Sequence, residues 1–248
     1  MRYNYIDLLL FAVLAVIPSC APPYPKSNKS EKLSSIGTGR SSLPYQKPGT
    51  EIATVCRSSN ADDMRRMSGQ EIFRHCSPAV FVIYTSNDSE GFQGSGFFIA
   101  EDGLAVSNYH VFEGTYKGHE KIHLTDGREF KISEVVACDK NNDLIVFRLA
   151  ANGVKFHYLP LSKHSIQVGD KVYAIGSPLG LENTFSSGEI SAVRGASLIQ
   201  ISVPITHGSS GGALINEFGE AIGVTSSGFD DGNLNFAINI ELIRKYLK

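Results

Sequence analysis

The strongest constraint on this chain is a succession of short apolar runs cut apart by Gly, Asp and Asn. The runs fall at 80–84, 96–99, 104–106, 121–124, 130–136, 144–149, 172–175, 188–193, 198–203, 213–215, 221–225 and 236–240. Each is too short for an amphipathic helix, and turn signals such as Glu101-Asp102-Gly103 and Thr125-Asp126-Gly127-Arg128 separate them. Many short strands with Gly-rich turns predict an antiparallel β-barrel protein. The strand–helix alternation of a parallel sheet is missing. Only the two ends read differently. Ser68-Gly69-Gln70-Glu71 is a capping-box pattern that opens a short helix through about His75, and Ser77-Pro78 stops it. Leu242, Ile243, Tyr246 and Leu247 give 241–248 a helical spacing.

The first 67 residues lie outside that pattern. Residues 8–17 are an apolar stretch of roughly ten residues, too short to span a bilayer comfortably. The stretch follows Arg2 and runs into Ile17-Pro18-Ser19-Cys20, the shape of a secretory signal. Cys20 resembles the cysteine of a bacterial lipobox, which carries the lipid. The other reading is ordinary cleavage near Ser19 or Ala21. Both predict an exported chain, periplasmic or at the cell surface, held to a membrane only if the lipid is there. Residues 21 to about 50 are rich in Pro, Ser, Lys and Gly, and 21–67 is expected to form a flexible tether. That leaves 68–248 as one folded domain. Its apolar share suits a sizeable core (42% of the whole chain), and a net charge of -2 gives no footprint for nucleic acid. Export leaves Cys56 and Cys76 open to pairing. Cys138 sits in an apolar run and reads as a buried thiol.

Chemistry concentrates in Thr206-His207-Gly208-Ser209-Ser210-Gly211-Gly212. Glycines around a serine permit the tight turn and exposed N–H groups that an acyl-transfer nucleophile needs. Gly208 to Gly212 also fit G-x-S-x-G, but that elbow requires a histidine after the serine, and none follows Ser210. The order His, Asp, Ser is available instead. His110 ends an apolar run, and Asp143 opens another, where a carboxylate could be buried against the core to orient the imidazole. Ser209 and Asp139 are the second choices for nucleophile and acid.

The segments SNYHVF, NNDLIVFRL and HGSSGGALIN resemble the triad boxes of the HtrA/Deg branch of trypsin-like serine proteases. Residues 93–97, 174–180, 187–192, 221–224 and 235–238 resemble further stretches of that family. The likeness covers roughly 70–248. Ser209 and Ser202 depart from residues common there. The resemblance implies two six-stranded antiparallel β-barrels, about 78–150 and 165–240, after a short helix and before a C-terminal one. The sequence stops at Lys248, so a single protease domain without the PDZ domains of many members is expected. The catalytic residues the resemblance implies are His110, Asp143 and Ser210, with the N–H groups of Gly208 and Ser210 as oxyanion hole. Ile205, Thr206, Ser226, Ser227 and Gly228 would bind substrate, with a leaning towards small or medium aliphatic P1 residues. The expected function is hydrolysis of peptide bonds through an acyl-enzyme, on unfolded or extended polypeptides. The alternative is a catalytically silent relative that binds polypeptides as an anchored module or chaperone. Neither needs a cofactor, and the oligomeric state stays open.

His119-Glu120-Lys121-Ile122-His123 matches the zinc-protease pattern H-E-x-x-H, which works only on a helix. Ile122 and Leu124 alternate as in a strand, which would set the histidines about 13 Å apart, too far for Zn–N bonds of about 2 Å. His75, His157, His164 and His207 read as surface residues.

Overall fold

The computed structural model describes residues 65–177, 183–206, 208–229 and 234–247. The leader, Cys20, the tether to residue 64, Cys56 and His207 lie outside the described residues.

Helix α1 (Gly69–Cys76) starts as its local sequence dictates. The N–H of Glu71 donates to Ser68 Oγ at 3.3 Å, and the N–H of Ser68 donates to the Glu71 carboxylate at 2.8 Å. The Ser68 N–H, aided by Arg65, brings the Glu71 carboxyl down to about 2. Ile72 and Cys76 form the inward face, and Pro78 falls in the single 3-10 turn (Ser77–Ala79) that ends the helix. The Cys76 sulfur lies 3.8 Å from the Gly219 carbonyl.

Thirteen strands follow among the described residues, all paired antiparallel. The first unit holds β1 (Val80–Ser86), β2 (Gly91–Phe98), β3 (Leu104–Ser107), β4 (Lys121–Leu124), β5 (Glu129–Phe130), β6 (Ile132–Asp139) and β7 (Leu144–Leu149), in the order β5-β4-β1-β2-β3-β7-β6. Its core is aromatic. The Phe81 and Phe98 rings lie 4.7 Å apart, and Phe98 stacks on Phe156 at 4.4 Å. Burying each such ring contributes about 1.5–3 kcal/mol.

The second unit is a closed barrel, β10-β13-β12-β11-β8-β9. Its strands are β8 (Lys171–Gly176), β9 (Thr184–Arg194), β10 (Leu198–Ile201), β11 (Ala213–Asn216), β12 (Ala221–Phe229) and β13 (Leu234–Asn239). Val172, Ile190, Ile199, Leu214 and Ile222 fill it. A further cluster joins α1 to both units, with Ile72, Val80, Phe97, Tyr173, Ile175 and Ala213 in contact across the seam.

The closed six-stranded barrel matches the expectation, while the first unit differs in count. The single run expected at 130–136 is divided at Lys131, because β5 pairs with β4 whereas β6 pairs with β7. The C-terminal stretch forms two 3-10 turns, Ile240–Leu242 and Arg244–Tyr246, in place of one helix. Asn239 caps the first through the Glu241 N–H at 3.0 Å. Past the second-turn residues Lys245 and Tyr246, which reach back to Asp139 in the first unit, the described chain ends at Leu247.

Candidate active site

Register brings His110 and Asp143 to the same end of the first sheet. Ser107, the last residue of β3, is paired with Ile145 of β7, so the three residues after Ser107 meet the turn that precedes Leu144. Asn108 is fully buried, and Tyr109–Val111 makes one 3-10 turn with Tyr109 and Val111 pointing inward. The His110 ring is thereby left at the surface. Asp143 occupies the left-handed region at φ 52°, where Asp is among the few side-chain residues tolerated. That conformation turns its carboxylate onto His110. Oδ2 faces His110 Nδ1 at 2.8 Å, and Oδ1 accepts the His110 backbone N–H at 2.8 Å. The Asp143 carbonyl accepts Tyr109 N–H and Asn108 Nδ2, both at 3.1 Å. The expected burial of this carboxylate is only partial, since its side chain is 30% exposed. It sits in a turn at the rim, and hydrogen bonds rather than apolar walls fix it.

Asp139, the second choice for the acid, meets no histidine among the described residues. Its carboxylate accepts Tyr246 Oη at 2.6 Å, Asn142 Nδ2 at 2.7 Å, Lys245 Nζ at 3.0 Å and Asn142 N–H at 3.1 Å. Burial opposes its charge, but the bonds from Tyr246, Asn142 and Lys245 outweigh it and hold the carboxyl well below the usual carboxylate range. Asp139 therefore braces the turn that carries Asp143.

The serine loop is laid across the junction of the two units. The Ser210 carbonyl accepts Ser95 N–H from β2 at 2.8 Å, and Gly211 N–H donates to the Thr225 carbonyl of β12 at 2.8 Å. Ser95 Oγ donates to the Gly208 carbonyl at 2.7 Å and accepts Ser177 N–H at 2.9 Å. Gly208 and Gly211 sit at φ 91° and 87°. A Cβ on Gly211 would lie 2.1 Å from the Ser95 carbonyl oxygen, so only glycine fits. The N–H groups of Ser209 and Gly212 donate to Thr206 and Ser209 carbonyls, whereas those of Gly208 and Ser210 meet no acceptor among the described residues. Ser210 itself is buried.

A cavity of about 100 Å³ opens beside this loop, with Ile205, Thr206, Ser209 and Thr225 in its wall and Thr184 and Ser186 also lining it. Ser226, expected in the substrate edge, points its hydroxyl to Asp143 Oδ2 at 3.5 Å. Ser227 and Gly228 lie in β12, where pairing to β13 turns irregular between Ser226 and Phe229. The contacts of Ser95, Thr225 and Ser226 had no signal in the sequence. Each is a hydroxyl on a strand whose partner lies in a distant loop.

The H-E-x-x-H stretch does not form a helix. His123 is on β4 and bonds Glu129 at 2.8 Å, and Glu120 accepts Gly118 N–H at 2.6 Å. His164 is exposed as expected, yet its Nδ1 lies 2.9 Å from Glu220 Oε2. Cys138 is half-buried in β6, short of the full burial expected, because among the described residues β6 pairs only with β7. A wider cavity of about 270 Å³, lined by His164, Lys171 and Phe218 among others, shares no residue with the serine loop.

Residues 94–224 match the family model described as "Trypsin-like peptidase domain". The mitochondrial serine protease HTRA2 of Drosophila willistoni is 30% identical, covering 86% of this chain and 54% of that protein. HTRA2 of Drosophila pseudoobscura pseudoobscura is 36% identical, with 68% and 41% covered. Among solved structures, the serine endoprotease from Yersinia pestis superposes with a TM-score of 0.65 at 29% identity, covering 72% of this chain and 65% of that one. The chain thus spans about half the length of the curated relatives it matches.

Proposed function

This chain belongs to the trypsin-like peptidase family, and from that premise we infer that it is a serine endopeptidase working through Ser210, His110 and Asp143. Ser210 Oγ attacks the carbonyl carbon of a peptide bond while its proton passes to His110 Nε2. The carbonyl oxygen takes up the displaced electron pair and is met by the N–H groups of Gly208 and Ser210. The oxyanion collapses, the C–N bond breaks, and His110 returns the proton to the departing amine. Water then repeats the sequence on the acyl-enzyme, with His110 taking its proton and releasing it to Ser210 Oγ. Asp143 fixes the imidazole tautomer and stays ionised throughout. The observation that carries this reading is the double grip of Asp143 on His110, at 2.8 Å to Nδ1 and 2.8 Å to the backbone N–H.

An extended polypeptide is the substrate this arrangement suits. The β12 stretch at Ser226, Ser227 and Gly228 would add it as a strand. The cavity between Ile205, Thr206 and Thr225 would take the P1 side chain. Its small volume and the uncharged character of its described lining favour a small residue over lysine or arginine. Export rests on the leader, with Cys20 as the lipid site. Metabolic labelling with a fatty acid, compared in Cys20→Ser, tests that part.

A fluorophosphonate reagent tests the enzyme. It is expected to label the chain once, at Ser210, and to lose the label in Ser210→Ala but not in Ser209→Ala. Absence of labelling in the folded chain would contradict the reading and favour a polypeptide-binding module.

A further inference from the structure

Two consecutive carbonyls of the serine loop are held by hydroxyls from opposite units. Ser95 Oγ, from β2, donates to the Gly208 carbonyl at 2.7 Å, and Thr225 Oγ1, from β12, donates to the Ser209 carbonyl at 2.7 Å. The Ser209 carbonyl also accepts Gly212 N–H at 3.0 Å. A trans peptide is planar, with its C=O and N–H pointing to opposite sides. Fixing the Ser209 carbonyl therefore fixes the direction of the Ser210 N–H, one of the two N–H groups that meet no acceptor among the described residues.

We propose that Thr225 is a positioning residue for peptide hydrolysis: its hydroxyl aims the Ser210 N–H at the point where the substrate's carbonyl oxygen gains charge. This rests on the reading of Ser210 as nucleophile given above. Thr225 has little freedom to do otherwise. Its N–H donates to the Gly212 carbonyl at 2.9 Å, its carbonyl accepts Gly211 N–H at 2.8 Å, and it is paired with Ala237 of β13. The side chain is buried, and β-branching leaves it few rotamers. Valine would suit the strand at least as well and bring no polar atom into the interior. With valine the Ser209 carbonyl keeps the Gly212 N–H and is not orphaned, so the fold survives while the peptide plane is held by one bond in place of two.

Thr225 also lines the small cavity, so a role in choosing the P1 residue is the competing account. Steady-state rates of Thr225→Val and the unaltered chain on peptides differing only at P1, with inhibition by a peptidyl boronate, separate the two. Aiming predicts that kcat falls about 10-fold for every P1 residue with KM within about two-fold, less than the loss expected from deleting a donor outright. Boronate inhibition weakens by the same factor, and Thr225→Ser, which keeps the hydroxyl, recovers most of the rate. Unchanged kcat, a re-ranking of P1 residues, or equal losses in the Ser and Val variants would each overturn the proposal. If Thr225→Val does not fold, Thr225→Ala against Thr225→Ser carries the same comparison. An unaltered chain that neither cleaves nor reacts with fluorophosphonate overturns the nucleophile and the aiming role together. A reactive chain with an undiminished Thr225→Val overturns the aiming role alone.

Discussion

Asp143 holds His110 by two separate atoms, its Oδ2 2.8 Å from the ring Nδ1 and its Oδ1 2.8 Å from the backbone N–H. One contact fixes the tautomer and the other fixes where the residue sits, so the acid controls both orientation and position. Both depend on Asp143 adopting φ 52°. In Asp143→Asn the amide retains the shape but can donate to Nδ1, which favours the wrong tautomer. That variant is expected to melt within a few degrees of the unaltered chain and to lose about 10⁴ in kcat. Paired thermal melts and peptide hydrolysis rates check it.

The brace at Asp139 carries a pH signature. Its carboxyl is held below the usual range, so the folded chain binds this proton less readily than the unfolded chain. The stabilisation is full above the ordinary carboxylate value of about 4 and drains away as pH falls below it. Removing one charge-assisted donor with Tyr246→Phe is expected to cost about 1.5–3 kcal/mol at pH 7. The gap between the two proteins narrows in urea titrations run below about pH 4. A gap independent of pH would mean that the Asp139–Tyr246 bond is not its source.

Gly211 and Gly195 both have positive φ but differ in surroundings. At φ 62° Gly195 faces open space, so Gly195→Ala is expected to cost only about 1–2 kcal/mol. Gly211→Ala adds a Cβ 2.1 Å from the Ser95 carbonyl and 2.3 Å from Ser107 Oγ. Since backbone cannot yield as a flexible side chain can, a loss of about 4 kcal/mol or more is expected, together with all activity. Denaturant midpoints of the two variants make the comparison.

The P1 preference follows from the cavity's size and lining. Peptides with Ala, Val, Ser or Thr at P1 are expected to be cleaved at least about 10-fold faster than those with Lys or Arg, because none of the described residues lining the cavity is acidic. A peptide library read by mass spectrometry gives the ranking.

What could be read from the chain beforehand was local. The Ser68–Glu71 cap involves neighbours three apart, and β4 and β7 fall where apolar runs are bounded by turn residues. The order His110, Asp143, Ser210 was legible because the spacing of motifs survives folding. The division at Lys131 was not, because only the choice of partner strand decides it. The apolar run that marks β12 stops at Thr225, while the strand continues to Phe229. Pairing of Ser226 with Phe236 and of Phe229 with Leu234 carries it past that point. The C-terminal turns look helical by period, and the cap and contacts that give them 3-10 form are not visible in that spacing. Thr225, Ser226 and Ser95 serve the site through single hydroxyl bonds to distant loops, which no periodicity records.

The mechanism requires that these three side chains act on one reacting carbon. A crystal structure of the chain inhibited by a peptidyl boronate tests it most directly. The expected adduct has boron bonded to Ser210 Oγ, one boronate oxygen within hydrogen-bond reach of the Gly208 and Ser210 N–H groups, and His110 Nε2 beside the other. An adduct on Ser209, or on Ser210 with the His110 ring turned away and the two N–H groups engaged elsewhere, would contradict it.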